Sequence, residues 1–87
     1  MQVEFLDKFY KDLDKVPSSI KYNVNDVVNK LELAKRISEI SNTKKLSGHK
    51  SAYRIRIGDY RIGIFITNNI VEFARIVHRK DIYDVFP

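Results

Sequence analysis

The second half of the chain contains three runs of alternating apolar residues, at 51–57, 60–67 and 70–78, separated by turn signals. The dipeptide at 58–59 is Gly-Asp, and a two-residue loop of this kind is typical of the tight turn of a β-hairpin. The dipeptide at 68–69 is Asn-Asn, which is a second strong turn signal. The pattern therefore predicts three consecutive strands, and the rest of the fold must pack against them.

The first half of the chain has the spacing of helices. Residues 1–4 are predicted as a short strand, and apolar residues then recur at helical intervals until Pro17, which ends a first helix. A second helix follows, and it either continues to Ile40 or breaks near Leu33. Residues 44–50 are predicted as a basic connector.

This order of elements, β-α-α-β-β-β, predicts a small single α+β domain over residues 1–87. We expect a mostly antiparallel sheet with a helical pair packed on one face.

The first turn also fixes which side chains lie opposite each other in the hairpin. With a two-residue loop, Arg56 pairs with Arg61 and Arg54 pairs with Gly63, while the alternate apolar residues form the face towards the helices. Like charges directly opposite each other destabilise a sheet, so stability alone does not favour this arrangement. Three arginines beside a hollow at Gly63 suit the binding of phosphate groups. The alternative is a solvated polar face on which the arginines disperse.

The register of the third strand stays open. A two-residue turn at 68–69 places Arg75 on the core face and His78 opposite Asp59. A three-residue turn brings Arg75 to the arginine face but turns Glu72 towards the core. Each register therefore leaves one charged side chain on the apolar face.

Charge is unevenly distributed along the chain. Residues 1–43 hold seven basic and seven acidic side chains, whereas residues 44–87 hold nine basic and four acidic ones, so the net charge of +5 lies in the second half. This asymmetry indicates a polyanionic partner, with nucleic acid as the first candidate. An ordinary basic surface is the alternative.

Several kinds of site have no support in the composition. The chain has no cysteine, its two histidines are 29 positions apart, and no glycine-rich nucleotide-binding loop is present. No apolar run approaches the ~20 residues that a membrane span needs. We therefore expect no disulfide, no metal site, no cofactor and no membrane partner, and a cytoplasmic location.

Residues 45–48, 53–61 and 78–83 read KLSG, YRIRIGDYR and HRKDIY, and together they resemble the RelE/ParE superfamily of toxins from type II toxin–antitoxin modules. The specific part of the resemblance covers about residues 44–84. It implies a toxin of the RelE type that enters the ribosomal A site and cuts mRNA. In that reaction the ribose 2′-hydroxyl attacks the adjacent phosphate.

The resemblance also implies a set of catalytic residues. Arg54 and Arg56 match the two basic positions of the family's strand motif, and Arg61 matches the arginine after glycine-aspartate-tyrosine. Arg79 and Tyr83 match the C-terminal arginine and tyrosine. The family places these groups around the scissile phosphate, where arginines can stabilise the charge that develops in the transition state.

Acid–base chemistry has few candidates. His78 is the only histidine beside the basic cluster, so it is a candidate for a supporting role as base or acid. The alternative is a histidine at the end of a strand that makes one structural hydrogen bond. We expect Phe86 to anchor the tail rather than to stack on bases. The lysines expected to contact the RNA backbone are Lys44, Lys45, Lys50 and Lys80. A site this poor in acid–base groups should depend on the ribosome to orient the RNA.

Three functions are compatible with these features. The first is a ribosome-dependent mRNA endonuclease, neutralised by a cognate antitoxin protein and contacting operator DNA only through the antitoxin complex. The alternative is a ParE-type inhibitor of DNA gyrase that binds without nuclease activity. That branch generally lacks the full set of basic residues and tyrosine, so the set present here favours the nuclease. A third possibility is a basic domain that binds RNA without cutting it.

Overall fold

The computed structural model describes residues 1–87 and contains one five-stranded sheet, against which the helices pack. In chain order the elements are β1 (Gln2–Phe5), α1 (Asp7–Leu13), α2 (Ser18–Leu33), a 3₁₀ turn (Ile37–Glu39), β2 (Thr43–Lys45), β3 (Ala52–Ile57), β4 (Tyr60–Thr67), β5 (Ile70–His78) and α3 (Ile82–Val85). The strand order is β1-β5-β4-β3-β2. β1 runs parallel to β5 and every other pair is antiparallel. The predicted α+β class is confirmed.

The helical pair covers one face of the sheet, which we call the helix face. Phe9 of α1 and Leu31 of α2 are fully buried against Ile55, Ile62 and Phe73 of the sheet. Because these side chains recur at helical spacing in the helices and at alternate positions in the strands, the two periodicities meet in one core. Of the two alternatives for the second helix, the break near Leu33 is the one observed, because α2 ends at that residue. None of the helices combines the length and the apolar character needed to cross a membrane.

The first hairpin has the predicted register. Arg56 lies opposite Arg61, and Arg54 lies opposite Gly63. Gly58 adopts a positive φ of 54°, the left-handed conformation that glycine takes without steric cost in such a turn. The three arginines therefore share the face of the sheet that points away from the helices.

The second hairpin combines the two registers predicted for it. A two-residue turn pairs Ile64 with Phe73, but beyond that point a β-bulge shifts the register, so that Gly63 pairs with Arg75. Ala74 is the extra residue. The bulge keeps Glu72 and Arg75 both off the helix face, which neither regular register achieves.

Asp12 of α1 stabilises the bulge. β1 ends opposite Phe73, so the following part of β5 has no neighbouring strand on that side. The Asp12 carboxylate accepts hydrogen bonds from Arg75 Nε at 2.7 Å, Arg75 Nη2 at 3.0 Å and the backbone N–H of Ile76 at 3.1 Å. One half-buried carboxylate therefore accepts hydrogen bonds both from the unpaired backbone at the edge of β5 and from the charged side chain of Arg75.

The connector predicted at residues 44–50 is wrong in its first part. Thr43–Lys45 forms the edge strand β2 and pairs with β3, which sets Lys44 directly opposite Arg54. A three-residue strand is too short to show an alternating pattern, and tertiary pairing decides its conformation.

The tail covers part of the second face of the sheet, which we call the cleft face. Ile82 and Phe86 are buried there with Ala52 and Ala74 in a small apolar cluster, which confirms the anchoring prediction for Phe86. The ring of Phe86 lies directly on Gly63, where a Cβ atom would stand 2.5 Å from it. The hollow predicted at Gly63 is therefore wrong, because the tail fills it.

Candidate functional site

The uncovered part of the cleft face forms a basic cleft of about 610 Å³. Strands β2, β3 and β4 supply its floor, and the segment around α3 supplies one wall. Six of its ten lining residues are lysine or arginine, and none is acidic. The lining residues are Asn42, Thr43, Lys44, Arg54, Arg56, Arg61, Arg79, Lys80, Ile82 and Tyr83.

Arg61 is fixed by the turn that precedes it. Its Nη1 donates hydrogen bonds to the carbonyl oxygens of Gly58 at 2.9 Å and Tyr60 at 3.0 Å. Burial lowers the pKa of Arg61, and the charges of Arg56, Arg79 and Arg54 lower it further. An arginine still remains protonated at neutral pH, so Arg61 keeps its positive charge although desolvation and the neighbouring arginines both oppose it.

Arg56 and Arg79 are held by other partners. Nη2 of Arg56 donates to Oδ1 of Asn42 at 3.3 Å. The backbone N–H of Arg79 donates to the carbonyl oxygen of Asp59 at 2.7 Å, while its Nε lies 3.9 Å from Oδ1 of the same residue in an exposed ion pair. An exposed pair at this distance contributes little to stability. Arg79 is therefore able to exchange the carboxylate for a phosphate.

Arg54 and Tyr83 form a second pair across the cleft. The guanidinium carbon of Arg54 stands 4.6 Å from the centroid of the Tyr83 ring, within the range of a cation–π contact. Hydrogen bonding from Arg54 to the phenolate form lowers the pKa of Tyr83 below its usual value near 10, and the charges of Arg54, Lys44 and Arg61 add to this effect. The proton of the Tyr83 hydroxyl is therefore easier to remove than that of an ordinary tyrosine.

The structure brings together seven of the ten predicted site residues and leaves three outside. His78 lies opposite Tyr60, with the two ring centroids 5.6 Å apart, and its Nδ1 accepts a hydrogen bond from the backbone N–H of Lys80. Because Tyr60 packs against the core of the helix face, His78 points away from the cleft. Its predicted role as base or acid has no geometric support. Lys45 and Lys50 are exposed in a separate depression formed by the loop at residues 45–50.

Three lining residues were not predicted. Thr43 begins the edge strand β2 and Asn42 lies in the turn directly before it, and the sequence pattern does not reveal this strand. Asn42 has a positive φ of 61°, and an asparagine before a strand is a weak signal for such a position. Ile82 is buried and carries the wall on which Tyr83 stands.

The arrangement is suited to binding a phosphodiester whose phosphate group gains negative charge during a reaction. Arginine forks can bind two phosphate oxygens at once, and four of them around one cleft can stabilise an additional negative charge on phosphorus. No carboxylate among the lining residues competes for them. The exposed ring of Tyr83 can stack on a base or remove a proton.

Comparison with known proteins adds family relationships to this geometry. A family model described as the ParE toxin of the type II toxin–antitoxin system parDE matches residues 3–83. The chain is 38% identical to Toxin RelE3 of Methanocaldococcus jannaschii over 88 residues, with 100% of each chain covered.

Solved structures give the same relationship. The toxin in a RelB–RelE antitoxin–toxin complex from Methanococcus jannaschii is similar to this chain with a TM-score of 0.85 and 36% identity, covering 97% of this chain and 99% of that one. An archaeal RelE–RelB complex from Pyrococcus horikoshii OT3 matches with a TM-score of 0.75 and 22% identity, covering 90% and 93%. The second likeness concerns the fold alone.

Proposed function

The chain belongs to the RelE/ParE superfamily of toxins of type II toxin–antitoxin systems, and on that premise we propose that it is an endoribonuclease of the RelE type that cuts mRNA in the ribosomal A site. The observation that carries the proposal is the cleft itself, in which six cationic side chains and one tyrosine converge without a carboxylate. A surface that only neutralises a partner's charge has no need of a tyrosine whose pKa is lowered by the arginine and lysine side chains of the same cleft.

The proposed reaction is an internal transesterification. The ribose 2′-oxygen forms a bond to the adjacent phosphorus, the bond from phosphorus to the 5′-oxygen breaks, and the products end in a 2′,3′-cyclic phosphate and a 5′-hydroxyl. Tyr83 as phenolate takes the proton of the 2′-hydroxyl. Arg61 and Arg79 bind the non-bridging oxygens, whose charge rises in the pentacovalent state. Arg54 and Arg56 complete the cluster from the adjacent strand.

The ribosome has a clear task in this scheme. Each well-aimed arginine stabilises the transition state by about 2–4 kcal/mol, but the lining residues include neither a histidine nor a carboxylate that could serve as a general acid. The proton for the 5′-oxygen must come from water or from a group of the ribosome. Lys44 and Lys80 lie at the same cleft and extend the phosphate-binding surface. Orientation of the RNA by the ribosome then supplies the proximity that the toxin alone lacks.

The proposed partners follow from the same surface and from the relatives. RelE toxins of the relatives above were solved in complex with RelB antitoxins, and a cognate antitoxin is the proposed partner here. An acidic segment of that antitoxin would complement the cleft. The ribosome and mRNA are the proposed targets, operator DNA is contacted only through the antitoxin complex, and the cytoplasm is the proposed location.

The decisive experiment adds the purified protein to ribosomes translating a defined mRNA and maps the new 5′ ends, with naked mRNA in parallel. We expect cuts confined to the A-site codon and absent from naked RNA. Arg61→Ala should abolish them. Lys21→Ala removes one exposed positive charge from α2, away from the cleft, and should leave them unchanged.

Gyrase inhibition is the second candidate, since the matching family model carries the ParE name. If neither RNA sample is cut, a supercoiling assay decides this alternative. Inhibition that survives Arg61→Ala would establish a gyrase-binding protein. Binding of RNA without cuts in any sample would leave an RNA-binding domain that is not a nuclease.

A further inference from the structure

Asn42 makes two different contacts with the same arginine. Its backbone carbonyl oxygen accepts a hydrogen bond from the backbone N–H of Arg56 at 2.9 Å. Its side-chain Oδ1 accepts from Nη2 of Arg56 at 3.3 Å. Asn42 therefore holds this arginine both at the strand and at the end of its side chain.

The side chain of Arg56 depends on a restraining hydrogen bond more than that of an ordinary surface arginine does. It lies directly opposite Arg61, and Arg54 and Arg79 border the same cleft. Like charges at these positions push one another apart, and Arg56 is exposed, so an unrestrained side chain would turn into solvent. The hydrogen bond to Asn42 opposes this and keeps the guanidinium at the cleft.

We propose that Asn42 is a positioning residue that aims Arg56 at the phosphate bound in the cleft. This inference rests on the proposed function, because it assigns a role within the same site. Asn42 has a left-handed backbone conformation, with φ of 61°, and its amide oxygen reaches Arg56 of β3. Asparagine is among the few residues that adopt this conformation readily.

The uncharged acceptor is part of the proposal. A carboxylate at residue 42 would hold Arg56 at least as firmly, but it would also cancel one of the six positive charges that attract the phosphate. An amide oxygen restrains the arginine and leaves the charge of the cleft unchanged. Asn42→Asp therefore separates positioning from charge.

The test is a double-mutant cycle between Asn42→Gly and Arg56→Ala, measured by single-turnover cleavage on programmed ribosomes. Glycine tolerates the backbone conformation, so the variant loses only the side chain. We expect Asn42→Gly to lower the maximal cleavage rate about 3–10-fold, as for the loss of a hydrogen bond to a charged group, with little change in the half-saturating concentration. In the Arg56→Ala background, Asn42→Gly should have no further effect. Asn42→Asp should instead raise the half-saturating concentration and keep most of the maximal rate.

Asn69→Gly is the matched control. Asn69 also has a positive φ, of 66°, but it lies in the turn between β4 and β5 and does not line the cleft. It should leave both kinetic parameters unchanged. An equal loss of rate from Asn42→Gly with and without Arg56 would overturn the inference, and so would an unchanged rate.

A second readout keeps the inference separate from the proposed function. The affinity of the same four proteins for a short, fully 2′-deoxy oligonucleotide is measured at low salt by fluorescence anisotropy. If the wild-type protein cuts nothing on ribosomes, the proposed function fails. Coupling between the two substitutions in oligonucleotide binding would still support the positioning role, and independent effects would refute it.

Discussion

Replacing Gly63 with alanine would test whether one close contact holds the tail in place. The added methyl carbon would lie 2.5–2.7 Å from three ring carbons of Phe86, whereas carbon atoms pack at about 3.5–4.0 Å. β4 is paired on both sides by β3 and β5, so its backbone cannot retreat. The ring of Phe86 must therefore move, and the segment that carries it must follow.

Two estimates bound the loss of stability that Gly63→Ala causes. Overpacking of a well-filled site costs about 1–3 kcal/mol. Complete loss of the buried Phe86 ring, about 200 Å² at about 25 cal/mol per Å², would cost about 5 kcal/mol as an upper limit. Because the ring can tilt before it leaves, we expect the free energy of unfolding to fall by about 1–3 kcal/mol. The direction of the change is itself a test, because alanine in a strand otherwise stabilises a protein by about 0.5–1 kcal/mol relative to glycine.

Activity should fall by more than stability explains. Arg79 and Tyr83 lie on the segment that Phe86 anchors, and a misplacement of about 1 Å can cost about 100-fold in rate. Urea unfolding followed by circular dichroism gives the stability, hydrogen exchange of residues 79–87 reports docking of the tail, and ribosomal cleavage gives the rate. The double variant Gly63→Ala with Phe86→Leu makes room for the methyl group and should recover part of both losses. Unchanged or increased stability, with the tail still protected from exchange, would refute the reasoning.

Three further predictions concern single charges. Since Arg54 lowers the pKa of Tyr83, the cleavage rate should rise with pH until Tyr83 is deprotonated; Arg54→Ala should move this limb to higher pH and Tyr83→Phe should remove it, as a pH–rate profile would show. Asp12→Ala leaves Arg75 without its half-buried partner and exposes a strand edge, so urea unfolding should show that the free energy of unfolding falls by about 3 kcal/mol. A fall below about 1 kcal/mol would mean that the bulge is stable without Asp12. Arg56→Gln keeps the length of the side chain but removes the repulsion across the hairpin, so stability at low salt should rise by about 0.5 kcal/mol while cleavage falls, and the gain should vanish in 0.5 M salt.

The part of the site that the sequence predicts well depends on local geometry. A two-residue turn fixes the pairing of the first hairpin, and from it follows the opposition of Arg56 and Arg61. Period-two alternation then assigns the three arginines of this hairpin to one face. No long-range information is needed for these conclusions, and the structure confirms them.

The sequence-based predictions are wrong where the structure depends on a single inserted residue or on a segment that is distant in the chain. The bulge at Ala74 adds one residue to β5, which pairs His78 with Tyr60 rather than with Asp59. A shift of one residue turns a side chain to the opposite face, so no role for His78 could be decided from spacing. The hollow at Gly63 was wrong for another reason, since a tail segment more than twenty positions away fills it. Close packing between distant segments leaves no periodic signal in a sequence.

The partners of the arginines explain how a small domain can keep so much like charge together. Arg61 is held by two backbone carbonyl oxygens, Arg56 by an amide oxygen and Arg54 by the face of a tyrosine ring. None of these partners is a carboxylate, unlike Asp59 beside Arg79, so each restrains its arginine without reducing the attraction for phosphate. Burial lowers the pKa of Arg61, and repulsion from Arg56, Arg79 and Arg54 lowers it further. A bound polyanion relieves that repulsion, so the cleft is arranged to favour the complex over the free protein, and the same reasoning favours an acidic antitoxin segment as the group that silences it.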